Sequence, residues 1–223
     1  MRIENIKKSY QSRLVLDTGS IELKEGRIYA VVGANGSGKS TLLRCIAGTA
    51  EPDEGTGSID TGGAAVGYMP QNSYPFKMSL LKNLLVGLPR TEDNILRAKE
   101  LISTFGMEKL SGTRADRLSG GERQKMALMR LLMRRYALIL LDEPTSAMDP
   151  QGALAAEELI EAYRRDNGCT VMMVTHSMKQ AERIADEVIF LSRGKAIGPV
   201  GTGAFLAGEA GGDSRDFLEF WGA

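Results

Sequence analysis

Ile28-Tyr29-Ala30-Val31-Val32 runs directly into Gly33-Ala34-Asn35-Gly36-Ser37-Gly38-Lys39-Ser40-Thr41. Five apolar residues in a row predict a buried strand. The glycines behind it let the backbone bend tightly and bring several N–H groups onto one anion. The helix expected over Lys39–Ala47, closed by Gly48, adds its positive dipole end at the same place. Lys39 can reach the β- and γ-phosphates as a point charge, and the Ser40 hydroxyl can hold a magnesium ion. Strand, glycine loop and helix in this order predict a nucleoside triphosphate site.

Downstream, strands and helices alternate. Ala137–Leu141, Thr170–Val174 and Glu187–Leu191 read as strands, and Pro150–Arg165 and Met178–Ala185 read as helices. That alternation predicts an α/β fold with a mostly parallel sheet. Asp149 is the expected N-cap before Pro150, and Ser177 with Gln180 predicts a capping box. Upstream, Ile3–Tyr10 alternates like a half-buried strand that Ser20–Leu23 can pair with. Arg27–Val32 feeds the glycine loop. Pro52–Gly63 reads as turns and a hairpin leading to a strand over Ala64–Met69. Three helices follow: Ser79–Leu85 with Ser79 as N-cap, Thr91–Phe105 stopped by Gly106, and Ser119–Arg135. Ile95, Leu96, Leu101, Ile102 and Phe105 recur at helical spacing on the second. Met126, Leu128, Met129, Leu131, Leu132 and Met133 of the third read as core. Gly208–Gly212 reads as a flexible tail, with Phe217–Trp221 docking back on the body.

The chain of 223 residues is long enough for one domain with a subdomain. Lys plus Arg and Asp plus Glu are both 28, so the net charge is zero and no nucleic-acid footprint is expected. Cys45 and Cys169 match no metal spacing and read as reduced core thiols of a cytosolic protein. Met1–Tyr10 carries Arg2, Glu4, Lys7 and Lys8 without an apolar stretch, so a signal peptide is not expected. Ala137–Leu141 and Val171–Val174 are too short to cross a bilayer, so a membrane role would go through a partner.

Three more segments carry chemistry. Leu138-Ile139-Leu140-Leu141-Asp142-Glu143 is an apolar strand ending in two carboxylates. Successive residues there point different ways. Asp142 is then the candidate magnesium holder and Glu143 the base that polarises an attacking water. Leu118-Ser119-Gly120-Gly121-Glu122 precedes a long helix and offers a second anion site; read alone, it is more readily a glycine turn with a serine cap. His176 is the one histidine and stands at the end of an apolar strand.

In this order the segments resemble the ATP-binding cassette (ABC) ATPases of membrane transporters. Gly33–Thr41 is similar to the Walker A loop, Leu118–Glu122 to the signature and Leu138–Glu143 to Walker B with its catalytic glutamate. Ser146-Ala147-Met148-Asp149 resembles the D-loop, Gln71 the Q-loop and His176 the H-loop. Tyr10 stands where the family places an aromatic that stacks on adenine. Glu122 and Met148 depart from the commoner Gln and Leu without removing a phosphate ligand.

The resemblance implies ATP and Mg2+ as ligands. It implies that Gln71 ligates magnesium beside Ser40 and Asp142, and that His176 contacts the γ-phosphate. It assigns Gly33, Asn35, Gly36, Ser37, Gly38, Lys39, Ser40 and Thr41 to one nucleotide, and Ser119, Gly120, Gly121 and Asp149 to a composite site shared between two subunits. It implies a P-loop core with an antiparallel β subdomain (1–71 and 136–207), a small helical subdomain (72–135) and a tail (208–223). The expected partners are a second copy head to tail or a related ATPase, transmembrane permease subunits and a solute-binding protein, with the chain peripheral on the cytoplasmic face of the membrane. Ser73–Met78 reads equally as a buried loop or as a surface groove for a coupling helix. The small cassette resembles those of oxyanion (tungstate, phosphate) or amino-acid importers. A non-transport ABC ATPase of DNA repair, chromosome organisation or translation is the alternative; the long coiled-coil inserts or fused second cassette of those relatives are not seen.

Overall fold

The computed structural model describes residues 1–53, 57–63, 65–211 and 213–221, without the side chains of residues 220 and 221. The chain opens with four short strands, β1 (Arg2–Glu4), β2 (Lys7–Tyr10), β3 (Arg13–Asp17) and β4 (Ser20–Glu22), then β5 (Ile28–Val32) and helix α1 (Lys39–Ile46). Strands β6 (Ser58–Asp60) and β7 (Val66–Met69) lead to helices α2 (Leu80–Leu84), α3 (Glu92–Thr104) and α4 (Gly120–Leu132). Strand β8 (Leu138–Asp142), helix α5 (Pro150–Asn167), strand β9 (Thr170–Val174), helix α6 (Met178–Ile184) and strand β10 (Glu187–Ser192) alternate as expected. An additional strand β11 (Lys195–Gly201) and helices α7 (Thr202–Leu206) and α8 (Asp213–Trp221) follow.

The main sheet has the order β11-β10-β5-β9-β8-β7. All its pairs are parallel except β10 with β11. A three-stranded antiparallel sheet, β4-β1-β6, and a two-stranded ribbon, β2-β3, lie beside it. Register fixes the functional geometry. Val31 pairs with Val174 and Asp142 with Val174, so the carboxyl ends of β5, β9 and β8 stop side by side. Ligands of open parallel sheets collect at such an edge.

Alternation within the central strands splits the core. Ala30, Val32, Ile139, Leu141, Val171 and Met173 face α4, α5, α7 and α8, while Tyr29, Val31, Leu138, Leu140, Met172 and Val174 face α1 and the small sheet. Burial on both faces is why these strands read as unbroken apolar runs. A third cluster joins Leu80, Leu84, Ala98, Leu101, Ile102, Leu118, Met126, Met129 and Met133. Helix α4 belongs to two clusters, since its Ala127, Leu128, Leu131 and Leu132 pack on the main sheet. Cys45 and Cys169 are buried free thiols, and burial pushes Cys169 up to about 11. Among the described residues no helix is long and apolar enough to cross a membrane.

Several local expectations change. Ile3–Tyr10 is two strands, broken at Asn5, whose φ is 48°. Thr18 Oγ1 accepts from Ile6 N at 3.1 Å, turning the chain there, so β2 pairs with β3 rather than continuing β1. Leu96 points outward and is 58% exposed. Ser177 Oγ accepts from Gln180 N, but the Gln180 side chain is engaged elsewhere, so the box has one arm only. The expected hairpin over Pro52–Gly63 gives β6 paired with β1, while residues 54–56, and Ala64 of the next expected strand, lie outside the described residues. In the tail, Gly208 N donates to Phe205 O, Gly212 lies outside the described residues, and Phe217 packs on Phe190 with ring centroids 5.1 Å apart.

Candidate functional site

The glycine loop lies against the end of β10. Gly33 has φ 149°, and a β-carbon there would collide with the carbonyl oxygen of Leu191, so only glycine fits. Gly38 caps α1 with no side-chain cap bond. The first-turn N–H groups of α1 therefore remain oriented toward the loop. Lys39 is 6% exposed, and its Nζ donates to the carbonyls of Gly33 (2.7 Å) and Ala34 (3.0 Å). Burial lowers its pKa, while Glu143 and Asp142 oppose that shift. Ser37 Oγ is buried with no hydrogen-bond partner among the described residues. An orphaned buried hydroxyl in a glycine loop fits a bound phosphate. Asn35 and Gly36 are exposed, and Thr41, like Ser40, is half-buried.

Next to the loop, Ser40 Oγ donates to Asp142 Oδ1 at 3.0 Å. Asp142 is 1% exposed; burial pushes its carboxyl up, the Ser40 bond pulls it down, and Glu143 pushes it up again. A hydroxyl and a single carboxylate on adjoining elements are hard oxygen donors. That set suits magnesium, which takes one or two protein carboxylates and completes its shell with water and phosphate oxygens.

Glu143 follows β8 and has φ 51°, the left-handed region that non-glycine residues rarely occupy. Its carboxylate meets two of the residues named from sequence. Gln71 Nε2 donates to Oε2 at 3.0 Å, and His176 Nε2 lies 3.0 Å from Oε1. Gln71 comes from the end of β7, Glu143 from β8 and His176 from β9, three strands adjacent in the sheet.

Tyr10 lines a cleft of about 1000 Å3 that it shares with Ala34–Ser37, Phe190–Arg193 and Asp213, Asp216 and Phe217 of α8. It is 44% exposed, and Lys8 Nζ sits 5.5 Å from its ring centroid. Ser119, Gly120 and Gly121 are not brought to that cleft. Ser119 caps α4 in a full capping box: its Oγ accepts from Glu122 N, and its N donates to Glu122 Oε2 at 2.7 Å. Gly120 opens instead on a groove of about 490 Å3 with Gln71–Pro75, Arg123, Gln124, Ser146 and Ala147. Asp149 caps α5, accepting from Gly152 N at 3.3 Å and from Lys125 Nζ at 2.9 Å.

Two glutamines brace this edge: Gln124, which the sequence reading passed over, and Gln180, which it gave only a capping role. Gln124 is 6% exposed and contacts Glu143 O, Ser146 Oγ and Ala147 N. Gln180 accepts from Thr175 Oγ1 at 2.7 Å and donates to Thr145 Oγ1 and Glu157 Oε1, both at 2.9 Å. Arg183 in turn forks onto Glu157 at 2.8 and 2.7 Å. The second network ties the loop after Glu143 to the residue before His176.

A family profile described as ABC transporter matches residues 16–146. The chain is 35% identical over 204 residues to the tungstate uptake system ATP-binding protein TupC of Peptoclostridium acidaminophilum, covering 86% of this chain and 94% of that protein. It is 37% identical over 204 residues to the aliphatic sulfonates import ATP-binding protein SsuB of Ralstonia nicotianae, covering 87% of this chain and 70% of that one. A solved ATP-binding cassette, dimeric in a post-hydrolysis state with ADP and Pi bound, superposes with TM-score 0.77 at 26% identity, covering 90% of this chain and 98% of the other. With strand order, loop geometry and relatives in agreement, the chain belongs to the ABC transporter family, as an ATP-hydrolysing subunit that energises transport.

Proposed function

We propose that two copies of the chain, or one copy and a related ATPase, close head to tail over ATP and open again after hydrolysis. The observation that carries the reading is the Glu143 carboxylate, gripped by Gln71 and His176 beside the Ser40–Asp142 pair. The loop amides of Gly33–Gly38 and Lys39 hold the β- and γ-phosphates. Glu143 takes a proton from water as its oxygen attacks the γ-phosphorus. The bond to the β-phosphate oxygen breaks, leaving ADP and phosphate. His176 holds the γ-phosphate through a ring nitrogen, which either protonation state of the imidazole allows. Magnesium, held by Ser40, Asp142 and Gln71, would neutralise charge on the β- and γ-oxygens when bound. Tyr10 stacks on the adenine.

Ser119, Gly120 and Gly121, with Asp149, serve the nucleotide of the opposite subunit. Their separation from the chain's own glycine loop and the dimeric state of the solved relative support this. A shared ligand gripped from both sides excludes water and stabilises the closed pair, and hydrolysis removes that grip.

The same reading divides the chain into a core of 1–71 and 136–207, a helical part of 72–135 and a tail of 208–223. The separate cluster around Leu84 and Ile102 supports the helical unit. Tyr74 is 66% exposed and meets Phe76 edge to face at 5.9 Å, beside the groove that Gln71 enters. That surface receives a helix of the transmembrane subunits at the cytoplasmic face. The cargo is an oxyanion, delivered by a solute-binding protein, in line with the tungstate and sulfonate systems of two relatives. The test is ATP turnover per chain against chain concentration. It should rise with concentration as pairs form, and a rate constant through dilution to full dispersal would overturn the paired reading.

A further inference from the structure

Helix α4 starts at the Ser119-Gly120-Gly121 turn and is fastened to the loop after β8 at three places. Gly121 packs so closely that a β-carbon would stand 2.6 Å from Ala147 O. The Gln124 amide is used on both sides: Nε2 donates to Glu143 O at 2.8 Å and Ser146 Oγ at 3.1 Å, and Oε1 accepts from Ala147 N at 2.8 Å. Lys125 Nζ reaches Asp149 Oδ1 at 2.9 Å. The residue that Gln124 reaches, Glu143, is strained, with φ 51°. A non-glycine residue in the left-handed region is strained and persists only where its surroundings over-determine it. At Glu143 those surroundings are Val174 O, which accepts from its N–H, and the Gln124 and Ser146 donors at its carbonyl. Gln124 is therefore a direct bridge from the first turns of α4 to the backbone of Glu143.

We propose that Gln124 is a positioning residue that couples the two ATP sites. A phosphate engaged by Ser119–Gly121 seats α4, and α4, through Gln124, sets the backbone and hence the carboxylate of Glu143 in the chain's own site. This rests on the head-to-tail reading above. The bridge explains why the base is locked to a helix end rather than to its own sheet alone. It passes the state of one nucleotide to the other without contact between them.

The experiment compares Gln124→Glu and Gln124→Ala with the parent chain in ATP hydrolysis across ATP concentration. A carboxylate at 124 keeps the bond to Ala147 N and loses both donors, so it faces the Glu143 carbonyl with an acceptor. The expected result is a fall in kcat of about tenfold or more, less than a twofold change in KM for ATP, and a Hill coefficient falling toward one. ATP-driven pairing in a Glu143→Gln background should persist. Lys125→Met, which leaves the buried amide intact, should lower the Hill coefficient in the same direction by a smaller amount; it decides the matter if the Gln124 variants do not fold. A fall in kcat with an unchanged Hill coefficient, or parental kinetics in folded variants, would overturn the coupling. A parent chain that hydrolyses ATP without cooperativity and independently of its own concentration would overturn the head-to-tail reading, and the coupling with it.

Discussion

The two ends of the candidate nucleotide site are built differently. At the end assigned to phosphates, Lys39 and Asp142 are buried and Glu143 is held by partners from three elements. At the end assigned to the nucleoside, Tyr10 closes a two-stranded ribbon whose turn residues Gln11 and Ser12 have φ 49° and 64°, and Leu14 is 54% exposed. A lone two-stranded ribbon is marginally stable, and Gln-Ser is a poor pair for a turn that needs two left-handed residues. On the proposed reading, affinity and chemistry would sit with the triphosphate, where buried strand ends converge, and the base would meet a softer, more replaceable surface.

Substitutions that break this contrast should fall in a clear order. His176→Ala removes a group that we assign to the γ-phosphate and one partner of Glu143. It should cost roughly a hundredfold in kcat with little change in KM. An equal rise in KM would place His176 in ground-state binding instead. Lys39→Ala should weaken ATP binding by roughly ten- to a hundredfold, the worth of a charged hydrogen bond in a buried site, measured with a fluorescent nucleotide. Tyr10→Ala should raise KM about fivefold, since stacking on a half-exposed ring is worth only about 1 kcal/mol, while Tyr10→Trp should stay near the parent. A Tyr10→Ala variant as damaged as Lys39→Ala would remove the contrast between the two ends.

How much of this was legible in the sequence also follows burial. The strands at 28–32, 138–142 and 170–174 are read within a residue because burial on both faces leaves an unbroken apolar run. The Gly33–Thr41 loop is legible because each residue type answers to one demand of a phosphate. Strand β11 and helix α7 were not read. Gly194, Gly198, Pro199, Gly201 and Gly203 give this stretch a loop composition, and only pairing with β10 makes Lys195–Gly201 a strand. The β3 strand failed for the same reason, because its partner is a neighbour rather than a core. Glu122 looked like a departure from the family pattern; its carboxylate accepts from Ser119 N, which the Ser-x-x-Glu spacing already encodes. Gln124 could not be found from pattern, and for Gln180 the Ser-x-x-Gln spacing gave a capping role rather than its bracing one. A glutamine on a helix reads as surface, and only the approach of another segment shows it buried and fully bonded.

The central claim is that ATP joins two chains, each supplying the turn that caps the other's nucleotide. Light scattering of Glu143→Gln with ATP and magnesium measures this directly. The paired account predicts a mass twice the 24.1 kDa of one chain, returning to the single mass when Ser119→Arg is added or nucleotide is removed. A single-chain mass at saturating ATP, or a pair that forms equally well with Ser119→Arg, would contradict it.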